Sequence, residues 1–140
     1  MGRLRMIHDM EGNPDGLRSL VKYSKLPAER IKYVADADEN TVRSIGRGIL
    51  FLMAFWSGPS VQAFAKLTEV IAALPAENLE LVVVDVDGSQ SLYELSEFKG
   101  QVSGSGETAW VRHGKIVNTS GRGMNVECFN PNTVALLAMP

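Results

Sequence analysis

Cysteine occurs once in the 140 residues, at Cys128, so no intrachain disulfide can form and no Cys-based zinc site can be assembled. A lone thiol fits a reducing compartment, and the expectation is a cytoplasmic protein. Long hydrophobic runs are missing too. The longest nearly uninterrupted one, Ile49 to Trp56, has eight residues, against the roughly 20 needed to cross a bilayer. Arg3 and Arg5 are followed by no apolar stretch of the kind a secretory leader uses. There is no basic surplus: Lys and Arg number 14 against 16 Asp and Glu, a formal net charge of −2. That balance supplies neither the basic footprint of a nucleic-acid binder nor an acidic tail. Nucleic acid and membrane are therefore not expected partners.

What is present suits one folded domain, because a chain of this length can bury a core without metal or disulfide staples. The first 46 residues are polar and broken by turn formers. Leu17, Leu20, Val21 and Ser24 follow Asn13-Pro14-Asp15 at helical spacing. A second short helix is expected from Pro27, presenting Ile31, Val34 and Ala35. A third should be capped by Asp38, carry Val42 and Ile45, and stop at Gly46. Residues 1–46 thus read as a helical N-terminal extension and 47–140 as the main domain.

From residue 49 the pattern changes. Ile49 to Phe55 is apolar on both faces, as in a buried central strand. After Ser57-Gly58, Pro59 suits a first helical turn, and Val61, Phe64, Leu67, Ile71 and Leu74 recur at three- and four-residue steps until Pro75. Leu79 to Val86 is a valine-rich strand. A helix is expected from about Ser91 with Leu92, Leu95 and Phe98 inward, followed by a Gly/Ser loop over residues 100–106. Thr108 to Val111 and Lys115 to Asn118 form a hairpin, and Asn130-Pro131 starts a helix with Val134, Leu137 and Met139.

Between the first strand and its helix lies Trp56-Ser57-Gly58-Pro59-Ser60. The run resembles the Trp-Cys-Gly-Pro-Cys site of the thioredoxin-like superfamily, with serine at both cysteine positions, and the element order from residue 49 resembles that family's core. The resemblance implies an α/β thioredoxin-like three-layer α/β/α sandwich carrying the N-terminal extension. It also shows what is missing. The attacking cysteine of the family is activated at a helix N-terminus, and here that position is Ser57, whose hydroxyl has no useful low-pKa state. A buried acid usually lies in the preceding strand, where this chain has Phe51. A cis-proline followed by threonine usually faces the motif, where this chain has Glu107-Thr108, and a non-proline residue there favours a trans bond. A chain with only its two cysteines replaced would keep the acid and the proline. This one resembles a site dismantled throughout.

Other groups point to little chemistry. Ser57 as a nucleophile would need a base, and no pattern brings His8 or His113 to it; a helix cap is the simpler role. Asp36-Ala37-Asp38-Glu39-Asn40 starts like a calcium loop, but Thr41 and Arg47 stand where glycine and glutamate are required. Asp85 and Asp87 alone do not make a metal site. Gly46-Arg47-Gly48 and Gly121-Arg122-Gly123 are arginine-bearing turns that could meet an acidic group. The expected function is a non-catalytic protein- or peptide-binding module without dithiol activity and without cofactor, metal or catalytic residues. Its surface would be Trp56, Ser57, Gly58, Pro59, Ser60, Glu107 and Thr108, forming a groove for an extended peptide. Packing of Trp56 beneath the extension is the competing placement. An enzyme or binder of a glutathione-type anionic thiol compound at the Ser57 helix terminus is the alternative. A mixed disulfide through Cys128 is a third.

Overall fold

The apolar run at residues 49–55 dictates the centre of the molecule, because a strand hydrophobic on both faces must be covered on both. In the computed structural model, which describes residues 12–140, this run belongs to a five-stranded sheet. Its strands are β1 (Ile31–Val34), β2 (Arg47–Met53), β3 (Glu80–Asp85), β4 (Thr108–Arg112) and β5 (Lys115–Thr119). The spatial order is β1-β3-β2-β4-β5. β3 runs parallel to both β1 and β2, while β4 is antiparallel to β2 and β5 to β4.

Strand alternation gives each face its own core. Ile49, Phe51 and Met53 face helices α1 (Gly16–Tyr23), α3 (Gly58–Ala72) and α4 (Phe129–Ala138), meeting Leu20, Phe64, Leu67, Phe129 and Leu136. Leu50 and Leu52 face the short α2 (Glu39–Arg43) and the turns after β3, meeting Val42, Leu92 and Phe98. The result is the expected three-layer α/β/α arrangement.

Several elements differ from the sequence expectation. The segment from Pro27 is a single 3₁₀ turn, Ala28–Arg30, and then β1. Ile31, Tyr33 and Val34 are good strand formers, and pairing with Leu81 to Val84 outweighs a helical spacing that was coincidental. The described part of the N-terminal segment therefore adds an edge strand to the sheet itself. The helix expected at Ser91 is also a 3₁₀ turn, Gln90–Glu94, although Leu92 and Phe98 are buried as anticipated. On α4 the buried face is Phe129, Thr133 and Leu136, while Val134 is 45% exposed. Thr133 Oγ1 fixes that rotation by accepting from Trp110 Nε1 at 3.0 Å and donating to Phe129 O at 2.7 Å. The Asp38 cap forms in full: its carboxylate accepts from Asn40 N and Thr41 N, and Thr41 Oγ1 accepts from Asp38 N.

Candidate functional site

The C-terminal end of β2 runs through Ala54 and Phe55 into a turn closed by Ser57 N donating to Ala54 O at 3.0 Å. α3 begins there, with Ser57 as its cap and Pro59 in its first turn. The two serines have different environments. Ser57 Oγ is half-buried and accepts from Ser60 N at 3.4 Å. Ser60 is fully buried; its Oγ accepts from Ala54 N at 2.9 Å and donates to Met53 Sδ at 3.3 Å. Both hydroxyls serve the turn, and Ser60 offers no surface.

Trp56 stands out from this turn and is 66% exposed. Two contacts fix it. Its Nε1 donates to Asp87 Oδ1 at 3.4 Å, and its ring edge lies on Gly104. A Cβ at Gly104 would sit 2.5 Å from the ring, and φ there is 78°, so only glycine suits the approach. Gly58 and Pro59 are exposed beside it. Of the two placements open to Trp56, the exposed one is observed.

Glu107 and Thr108 do not line an open groove as expected: their exposures are 1% and 0%. The Glu107 carboxylate points into the protein, accepting from Ser103 Oγ at 2.6 Å, Gly123 N at 2.8 Å and Ser105 N at 3.3 Å. Their backbones are also occupied. Leu52 N donates to Glu107 O, Thr108 N donates to Ser120 Oγ, and Ser120 N donates to Thr108 O. With three of their four backbone groups taken and both residues buried, strand-like pairing of a peptide along them has little to use. The peptide bonds of the described residues are all trans. Phe51 is fully buried, packed edge-on to Phe64 with centroids 5.5 Å apart.

Asp85, 3% exposed, binds the N-terminal segment: its Oδ2 accepts from Asn13 N at 2.7 Å and its Oδ1 from Asp87 N at 2.9 Å. Burial holds its carboxyl above the ordinary value, against the pull of those two hydrogen bonds. Burial, reinforced by Asp85, also pushes the Tyr33 phenol up, and its hydroxyl donates to Asn13 O. Among the described residues no cluster of three or more His, Cys, Asp or Glu is placed to hold a metal ion. His113 lies in the β4–β5 turn, beyond Arg112, which pairs with Arg47 at the far end of β2 from Ser57. It cannot act as a base for that serine. His8 lies outside the described residues. Cys128 is half-buried, and burial, with Glu127 beside it, raises its thiol pKa, which disfavours the reactive thiolate.

This arrangement can be compared as a whole: a central β2, a motif turn, α3, and a hairpin facing the motif. Superposition on solved structures decides the architecture. Plasmodium falciparum thioredoxin in its oxidised form aligns with TM-score 0.59 at 18% identity, over 77% of this chain and 99% of that one. The chain has the thioredoxin fold. Mitochondrial thioredoxin 3 of Saccharomyces cerevisiae gives 0.56 at 19% identity, over 76% and 96%. A chain from the structure describing thiol resolution of yeast mitochondrial 1-Cys peroxiredoxin via glutathione/thioredoxin systems gives 0.58 at 20%, over 75% and 94%. No protein-family model and no curated protein matches the chain. Its single cysteine leaves this thioredoxin fold without a dithiol.

The sequence reading missed two contributors to the Trp56 surface, Gly104 and Asp87, which hold the ring; it also missed that the 121–124 loop is tied to Glu107 through Gly123. Only the glycines themselves carried a signal, since Gly104, Gly121 and Gly123 all have positive φ.

Proposed function

We propose that this thioredoxin-fold chain is a non-catalytic protein- or peptide-binding module of a reducing compartment, with Trp56 as its anchor and no dithiol–disulfide activity. The observation that carries the reading is the exposure of Trp56, at 66%, on a rigid turn. A tryptophan held at one edge by Asp87 and at another by Gly104 loses little freedom on binding, and such preorganised aromatics dominate interface energetics. With peptide pairing along Glu107-Thr108 closed, recognition rests on side chains packing against Trp56, Gly58 and Pro59.

No observation favours the anionic-thiol alternative, because the Ser57 hydroxyl already serves Ser60 N. The raised thiol of Cys128 likewise weighs against the mixed-disulfide reading. Affinity capture with the wild type and Trp56→Ala tests the proposal. A partner retained by the wild type and lost by the variant supports it; identical retention overturns it. Cys128-dependent insulin reduction in the presence of dithiothreitol would contradict the non-redox part separately.

A further inference from the structure

At the opposite end of β2 from Trp56, three cations stand in register. Arg47 opens β2, Arg112 closes β4 and Lys115 opens β5; the ladder pairs Arg47 with Arg112 and Arg112 with Lys115. Alternation puts Arg47 on the face of Ile49 and Arg112 on the face of Trp110, which is one and the same. Like charges directly opposite in a ladder destabilise it. Among the described residues no ion pair relieves them, the pairs there being Arg43–Glu39 and Lys66–Glu69; Glu39 and Glu97 line a surface hollow with Lys115 without pairing to it. Glu80, across from Gly48, falls on the other face and accepts from Gly46 N at 3.0 Å.

The arginines are also short of acceptors. Arg47 spends one N–H on Met139 O at 2.7 Å. Arg112 Nε is buried with no hydrogen-bond partner, an arrangement that calls for an ion or other acceptor. The row is held in place by the β4–β5 turn, where His113 N donates to Gly46 O at 2.6 Å and Gly114 N to Ile45 O at 2.8 Å. Arg47 and Arg112 are half-buried and Lys115 is exposed, so the row is open to solvent at its Lys115 end, while Arg112 Nε itself lies beneath the surface.

We propose that the Arg47–Arg112–Lys115 row binds a phosphate monoester, seated on Arg112 and bridged by its two neighbours. A phosphate brings close to two negative charges and three acceptor oxygens, which suits three cations better than the single charge of a carboxylate. Arginine forks are suited to this geometry. The site shares no residue with the Trp56 surface, so either reading can fail without the other.

The arginine Nε–H resonances of the full chain report on the site directly. Titration with phenyl phosphate at fixed ionic strength is expected to shift the Arg112 and Arg47 signals saturably. Arg112→Gln should weaken binding about tenfold or more, and Lys115→Gln, an exposed change, a few-fold. Inorganic phosphate should move the same signals, whereas acetate should not saturate them. Absence of saturation, equal binding of acetate, or unchanged affinity in a folded Arg112→Gln would each overturn the proposal.

Discussion

Ser57 and Ser60 look interchangeable in the sequence, and burial separates them. Ser60 Oγ is the acceptor for Ala54 N inside the core, whereas the half-buried Ser57 makes only a long contact to Ser60 N. Ser60→Ala should therefore lower the unfolding free energy by about 1–3 kcal/mol, the cost of an orphaned buried N–H. Ser57→Ala should cost about 1 kcal/mol or less, as for a cap. Urea denaturation of the two variants checks the order. The cap at Ser57 was legible because proline and helical periodicity follow it. The role of Ser60 was not, because its acceptor duty arises only when the turn brings Ala54 over the helix. Asp85 gives a residue-scale pH effect. Its folded pKa lies above the ordinary 3.8, so the folded state holds that proton more tightly than the unfolded chain. The contribution of Asp85 to stability should thus fall as pH rises from about 3.8 through the folded value, and level off above it. Asp85→Asn should flatten that slope in denaturation curves measured across the acid range.

At the scale of elements, Glu107 joins the loop before β4 to the loop after β5. Ser103 and Ser105 from the first loop, and Gly123 from the second, all donate to one buried carboxylate. Glu107→Ala would strand these donors, and a loss of about 3 kcal/mol is expected, with charged acceptors worth more than neutral ones. Faster amide exchange at Ser105 and Gly123 should accompany it. Glu107 and Thr108 were expected to line a groove, and both are buried instead. Nothing in a Gly/Ser-rich stretch reveals that its donors converge on an acid. Segment 31–34 shows the same limit in another form, since Ile31 and Val34, at helical spacing with Ala35, also fit a strand when β3 offers a partner. β2 and α3 were readable because burial there follows from patterns internal to each element. The buried face of α4 depended on a Thr133–Trp110 bond with no local trace.

At the scale of the molecule, residues 12–46 are part of the sheet and its core rather than a separable addition, because β1 pairs with β3 and Leu20, Leu26 and Ile31 are buried in the larger core. A chain starting at Arg47 would expose the edge of β3 together with that apolar surface. It should lose cooperative unfolding and aggregate, which thermal denaturation followed by circular dichroism can check; a cooperative, soluble fragment would show the sheet complete without β1. The placement of that segment also leaves Trp56 open, so the molecule presents an exposed tryptophan on a thioredoxin fold that has no dithiol. The most direct measurement is calorimetric titration of a captured partner against the wild type and Trp56→Ala. A hot-spot tryptophan predicts affinity weaker by about tenfold or more in the variant, roughly 1.4 kcal/mol. Equal affinities, with the variant folded, would contradict the account.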